Sequence, residues 1–276
     1  MRRAAVLGSP IAHSLSPFLH RAAYQALGLT GWRYDAVECD EAALPALMAG
    51  MGPEWAGLSL TMPLKRAVLP LLDTVSALAV EVGGANTVVF RDGARHGENT
   101  DVYGIVGALA ESGVLPPRAA TILGGGATAA SALAALRELG LGEASLAVRD
   151  PSRAGETARV AERLGMALRV ETFDKVDGLL DVDLVVSTLP PGAADGFAGA
   201  VGRVPALLDV VYAPWPTPLA RAVRAAGGTV VSGFAMLLHQ AALQVELHTG
   251  RRDAPVETMR AAGEAEIARR AAAPAR

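Results

Sequence analysis

The first hundred residues alternate short apolar runs of β type with longer segments of helical period: AAVLG, PFLHRAAYQALG, WRYDAVECD, EAALPALMAG, AGLSLT and PLKRAVLPLLD. Strands and helices that take turns along a chain predict an α/β unit, in which helices cover a sheet. ANTVVFRDGARHGENTD then reads as a hairpin with Asp92-Gly93 as its turn. Beyond Asp101 a second alternation runs through AATILG, a helix to Leu139, ASLAVRD, a helix over 152–164, ALRVET, VDLVVST, PALLDVVY, a helix over 217–226 and GTVVSG. Strands joined by crossover helices of ordinary length predict a parallel, doubly wound sheet. From Phe234 the pattern is helical to the end, with a polar Ala/Arg-rich terminus expected to fray.

Composition narrows the function. The 276 residues are 51% hydrophobic and 19% charged, which excludes low-hydrophobicity disorder and suits about two domains. A net charge of −3 without a basic tract argues against nucleic acid and favours a small-molecule ligand. The single Cys39 excludes a disulfide framework or a Cys-rich metal site, and five scattered histidines form no metal constellation. A reducing cytoplasm fits. The opening MRRAAVLGSP has too short an apolar run for an export signal. The uncharged stretch Ala119 to Leu136 has the length of a membrane span, but Gly124, Gly125 and Gly126 split it into strand, turn and helix, so no membrane is expected.

That turn carries chemistry. Gly124 and Gly126 follow an apolar strand and open a helix as GxGxxA, with Ala129 third; Ala127 is the first residue after the glycines. The first glycine permits the turn, the second admits a pyrophosphate to the backbone, and the small third residue lets helix and strand pack closely. The next strand ends in Arg149-Asp150-Pro151-Ser152-Arg153, where such a fold meets the adenosine ribose. An acid there bonds the ribose hydroxyls of NAD, whereas arginine accommodates the 2′-phosphate of NADP. Arg149, Ser152 and Arg153 favour NADP. The segment also reads as a solvated helix start capped by Asp150, and the two readings use different groups.

The remaining polar residues are bland one at a time. Ser14 and Ser16 before Pro17 suit a helix start; Lys65 follows a strand end at Thr61; Asn86-Thr87 and Asn99-Thr100-Asp101 suit turns. In this order, GSPIAHSLSP, SLTMPLK, GGANT, GENTD, the GGGATA turn, DVVYAPWPTPL and GFAMLLHQA resemble the shikimate dehydrogenase family across nearly the whole chain. The resemblance implies an NADP-dependent oxidoreductase of the shikimate pathway, and so of aromatic amino acid biosynthesis. It implies a substrate domain of 1–101 with 234–276 around a Rossmann nucleotide domain of 102–233. Lys65 and Asp101 become the catalytic pair. Ser14 and Ser16 would hold the substrate carboxylate; Thr61, Asn86 and Gln240 its hydroxyls and their surroundings. Tyr212 would lie at the substrate and Gly233 near the nicotinamide. Ser59, counted with the substrate-binding residues, stands where the family has asparagine, Val102 where it has glycine, and Val148 where it has asparagine. His13 and His20 are read as structural. A quinate or aminoshikimate dehydrogenase shares this framework, as does a non-catalytic NADP-binding regulator, which intact Lys65 and Asp101 argue against. A homodimer is left open.

Overall fold

The computed structural model describes residues 1–272, with the Arg153 side chain outside that description. The chain forms two compact units. The first holds Met1–Val80, Gly84–Thr100 and the residues from Leu238 on; the second holds Glu81–Gly83 and Asp101–Leu237.

The sheet of the first unit comprises β1 (Arg2–Gly8), β2 (Trp32–Glu38), β3 (Trp55–Leu60), β4 (Thr74–Val75), β5 (Thr87–Arg91) and β6 (Ala94–Glu98), in the order β2-β1-β3-β5-β6-β4. β1 runs parallel to β2 and β3, whereas β5 is antiparallel to β3 and β6. Ala4 to Gly8 and all of β3 are buried, as an unbroken apolar run requires of strands covered on both faces. Leu7, Leu58 and Val88 pack on one side with Leu44, Met48 and Leu64. Asp92 and Gly93 both have positive φ (53° and 77°), which closes the expected two-residue hairpin with Arg91 opposite Ala94. The helix Ser16–Ala26 buries Leu19, His20, Ala23 and Tyr24, and packs against β2 and the helix Val256–Ala272.

The second unit carries β7 (Ala120–Leu123), β8 (Glu143–Val148), β9 (Ala167–Thr172), β10 (Leu184–Ser187), β11 (Ala206–Asp209) and β12 (Thr229–Ser232). All pair in parallel, in the order β12-β11-β10-β7-β8-β9, so the winding reverses between β7 and β10. This is the doubly wound sheet that the alternation predicts, and its reversal point is where such folds bind ligands.

Four local readings are corrected. A helix, Asp101–Glu111, occupies a stretch to which the pattern assigns no element; it is apolar almost all round, so it shows no clear amphipathic period. The run from Phe234 is two helices, Gly233–Thr249 and Val256–Ala272, separated by a segment that holds Gly250 at φ 74° and Pro255. Residues 152–164 begin as a 3-10 turn, Pro151–Ala154, before the α-helix Gly155–Arg163. PLKRAVLPLLD likewise divides into Leu64–Ala67 and the 3-10 turn Leu69–Leu71, because Pro70 has no amide hydrogen to continue the helix. The fraying expected of the terminus falls on residues 273–276, outside the described residues. Among the described residues no helix is long and apolar enough to cross a membrane.

Behind β2, His20 stacks on Tyr34 with ring centroids 3.8 Å apart, and His248 lies 6.2 Å from His20. Burial pulls His20 down to about 3, with the neighbouring His248 adding to the effect, and burial pulls His248 down to about 4. Both rings therefore fold neutral. The unfolded chain binds more protons below its ordinary histidine value near 6.5, so stability is full above that pH and falls as pH drops through it. Each ring should cost about 1.4 kcal/mol of stability at pH 5.5. We expect the urea midpoint to fall between pH 7.5 and 5.5, and His20→Phe to remove about half of the histidine part of that dependence. A midpoint that does not move would refute the neutral pair.

Candidate active site

Topology gathers the polar residues of the first unit. Because β1 and β3 are parallel, Gly8 and Leu60 end at one edge of the sheet. Ser59 lies opposite Thr87 and Thr87 opposite Glu98, so β5 starts and β6 ends at that edge too. The loops bearing Ser14, Thr61 with Lys65, Asn86, and Asn99 with Thr100 therefore emerge together. Backbone bonds fix their spacing: Thr61 N–H donates to Leu7 (2.9 Å), Leu60 N–H to Asn86 (2.7 Å), Ala85 N–H to Lys65 (2.8 Å) and Asn86 N–H to Glu98 (3.1 Å).

The carboxamide of buried Asn86 joins these loops. Its Oδ1 accepts from Thr100 N–H (2.8 Å) and the Thr87 hydroxyl (2.9 Å), while its Nδ2 donates to Thr100 Oγ1 (3.0 Å) and Gln240 Oε1 (2.9 Å). A backbone N–H can only donate, which fixes the amide orientation. Four residues further along the same helix, Gln244 Nε2 donates to Thr87 Oγ1 (3.0 Å) and its Oε1 accepts from Ser59 Oγ (2.8 Å). Ser59 in turn accepts from the Tyr34 hydroxyl (2.7 Å). Burial raises the Tyr34 phenol above its ordinary range, so it remains a neutral donor. The Ser59 hydroxyl is thus directed into a buried chain, with its hydrogen given to Gln244.

Ser14 Oγ accepts from Ser16 N–H (3.2 Å), and buried Ser16 lies beside the Tyr34 hydroxyl. Lys65 is half-buried on the short helix Leu64–Ala67. Asp101 is buried, opens the helix Asp101–Glu111 and is the first residue of the second unit after Thr100.

In the second unit the glycine turn follows β7 at the reversal of the sheet. Gly124 has φ 101°, and a Cβ on it would lie 2.7 Å from Thr188 Oγ1, so this position demands glycine. Its N–H donates to Ala147 (2.8 Å), and Thr157 Oγ1 donates to the Gly125 carbonyl (2.8 Å). Gly126 is exposed; a Cβ there would meet nothing within 4 Å. It precedes the helix Ala127–Glu138, whose start has no side-chain cap and whose Ala129 is fully buried. Backbone amides at an uncapped helix start beside open space suit an anion.

At the end of β8, Asp150 Oδ1 accepts from both N–H (3.0 Å) and Oγ (2.7 Å) of Ser152. Its carboxylate thus caps the following turn. Arg149 is exposed, and no ion pair ties it down among the described residues; the Arg153 side chain lies outside them. A dinucleotide with a phosphate at its ribose fits this donor set. Asp209 closes the loop bearing half-buried Tyr212: its Oδ2 accepts from Thr217 Oγ1 (2.7 Å) and its Oδ1 from Val211 N–H (3.2 Å), while burial raises its carboxyl. Thr217 also caps the helix Pro218–Ala225. A Cβ on Gly233 would fall 1.9 Å from the Val210 carbonyl oxygen, so the helix start can approach this loop only through glycine.

The shikimate dehydrogenase substrate binding domain model matches residues 6–88, and the shikimate 5'-dehydrogenase C-terminal domain model matches 233–262. The chain is 38% identical to a shikimate dehydrogenase (NADP(+)) of Geobacter sp. over 259 residues, covering 89% of each. The chain belongs to the shikimate dehydrogenase family. Among solved structures it is similar to the Mycobacterium tuberculosis shikimate dehydrogenase, with TM-score 0.88 and 45% identity over 96% of this chain and all of that one. It is similar as well to the Thermus thermophilus enzyme in complex with NADP(H) and shikimate, with TM-score 0.85 and 35% identity over 96% and 99%. As a shikimate dehydrogenase family member it has Ser14, Ser16, Ser59, Thr61, Lys65 and Asn86 inside the first match and Gly233, Gln240 and Gln244 inside the second.

Tyr34, Thr87, Thr100 and Gln244 complete the network without having been candidates. Gln244 had a signal, since it lies one helical turn from Gln240; Tyr34 had none. A cavity of about 700 Å³ lined by Arg2, Trp55, Val89 and Leu247 lies at the opposite ends of β1 and β3, away from these groups.

The glycine turn makes a paired prediction. Gly124→Ala should cost about 1–3 kcal/mol through left-handed strain and contact with Thr188, whereas Gly126→Ala should stay within about 0.5 kcal/mol of the parent. Thermal melts of the two variants check this, and equal losses would contradict the geometry.

Proposed function

We propose that this chain catalyses the NADP-dependent, reversible reduction of 3-dehydroshikimate to shikimate. The observation that carries the reading is the array of hydroxyls and carboxamides around Asn86, Thr100 and Gln240 beside Lys65, in a chain 35% identical to an enzyme solved with NADP(H) and shikimate. A ring bearing several hydroxyls and a carboxylate needs such an array of donors and acceptors.

In this reading the first unit binds substrate and the second binds nucleotide. Ser14 and Ser16 meet the carboxylate, Ser14 with the hydrogen of a hydroxyl that already accepts from Ser16 N–H. Thr61, Asn86 and Gln240 meet ring hydroxyls, Asn86 and Gln240 locked by their mutual bond. Ser59 supports the array from behind through Gln244. Tyr212 sits at the substrate. Gly124, Gly125, Gly126, Ala127 and Ala129 cradle the pyrophosphate, Arg149, Ser152 and Arg153 meet the ribose phosphate, and Gly233 borders the nicotinamide.

NADPH, when bound, supplies the hydride for the ring ketone. Lys65 supplies a positive charge and a proton at Nζ to the carbonyl oxygen as it becomes an alkoxide. Asp101 orients that ammonium and accepts from the neighbouring substrate hydroxyl. In the reverse direction Lys65 takes the proton back.

Lys65→Ala should lower kcat by about 10³-fold or more with a comparatively small change in shikimate affinity, since its charge matters most in the transition state. Steady-state rates and a separate binding titration read this; a raised KM at unchanged kcat would make Lys65 a binding residue only.

Absorbance at the nicotinamide band with shikimate or quinate and NADP or NAD tests the function directly. The expected pattern is a dominant rate with shikimate and NADP. Arg149→Ala should raise KM for NADP about tenfold or more and barely alter that for NAD. Preference for quinate would assign the paralogous activity, and equal use of NAD would overturn the reading of Arg149.

A further inference from the structure

The C-terminal helix reaches back to the loop that precedes the helix Ser16–Ala26. Arg270 donates from Nη1 to the His13 carbonyl (2.6 Å) and from Nη2 to the Ser14 carbonyl (3.4 Å), and its guanidinium lies 5.5 Å from the centre of the Phe18 ring. Its Nε donates to Glu266 Oε1 (2.6 Å). Glu266 is only 5% exposed and also receives Arg269 at both oxygens (2.7 and 2.8 Å). The two guanidiniums hold its carboxyl down at about 2, so it is ionised under all ordinary conditions.

Ser14 is consequently set on three sides. Its N–H donates to Ile11 (3.0 Å), its Oγ accepts from Ser16 N–H (3.2 Å), and its carbonyl accepts from Arg270. The helix that the loop enters has Leu15 at its N-cap and no side-chain cap bond, while Glu38 anchors the start of the loop through Ile11 N–H (2.9 Å). Two guanidiniums sharing one carboxylate also leave a positive charge beside the loop. Only the planar fork of arginine spans two successive carbonyls while a third N–H stays on Glu266.

We propose that Arg270, held by Glu266, is a positioning residue for the Ser14–Ser16 loop, setting its peptide carbonyls so that the serine hydroxyls are ready for a carboxylate. This rests on the proposed activity for its substrate. Arg270 lies beyond both matched family segments, which end at 88 and 262. A loop ordered in advance does not lose that freedom on binding, so the clamp acts on affinity and leaves the chemical step alone.

The test compares Arg270→Met, which keeps the apolar stem, with Arg270→Lys. Arg270→Met should raise KM for shikimate about tenfold while kcat and KM for NADP stay within about twofold, and Arg270→Lys should recover part of the loss. In a background with both Ser14→Ala and Ser16→Ala the same change should shift KM by less than about twofold, because the hydroxyls that the clamp positions are already gone. Full additivity, an unchanged KM in the folded variant, or parallel losses in kcat and both KM values would overturn the proposal. Should Arg270→Met not fold, Arg270→Lys carries the comparison with an expected shift of about threefold. Amide hydrogen exchange over residues 13–18, measured without any substrate, should quicken about tenfold in the variant, and unchanged exchange would overturn the clamp. A parent protein inactive on shikimate would instead refute the activity and leave the exchange result standing.

Discussion

Asn86 is the constraint on which the first unit turns. Its carboxamide is 1% exposed and uses both donors and both acceptor positions on Thr87, Thr100 and Gln240. An unpaired buried polar group costs about 1–3 kcal/mol, so every partner must stay in place for the others to be satisfied. One side chain thereby ties the start of β5, the exit of β6 and the helix Gly233–Thr249 into a single arrangement. An aspartate of the same shape would set a second oxygen against Gln240 Oε1, which only a donor can face.

The same logic explains why Ser59 and Gln244 belong together. A serine at this position is too short to reach far beyond the strand, and its hydroxyl joins Tyr34 to Gln244 inside the protein. Gln244 then passes the constraint to Thr87 and so to Asn86. This layer consists of hydroxyls and carboxamides that carry no charge, together with the Tyr34 phenol, which burial keeps neutral. Charge is placed elsewhere: the Glu266 cluster lies behind the serine loop, and Lys65 is half-buried on the short helix Leu64–Ala67.

In the second unit the decisive constraints are steric. Gly124 and Gly233 are required by a positive φ and by a backbone approach that no Cβ survives, whereas Gly126 faces open space. The contrast separates glycines that the fold needs from one that leaves room. At the end of β8 the carboxylate of Asp150 turns onto Ser152, while Arg149 beside it is exposed.

What was legible in the sequence was local. Alternating apolar runs determined two α/β sheets, Asp92-Gly93 determined a hairpin turn, and GxGxxA determined a strand-turn-helix, because backbone sterics and the burial of one face act within a few residues. The helix Asp101–Glu111 escaped because a segment apolar on every side has no period to read. The family resemblance rested on motifs whose roles no spacing could reveal. Tertiary structure alone decided that Ser59 looks inward to a glutamine 185 positions away, and that Arg270 holds a carbonyl 257 positions earlier. Hydrogen bonds between such distant positions depend on where whole elements pack, and nothing in the neighbouring residues encodes that placement.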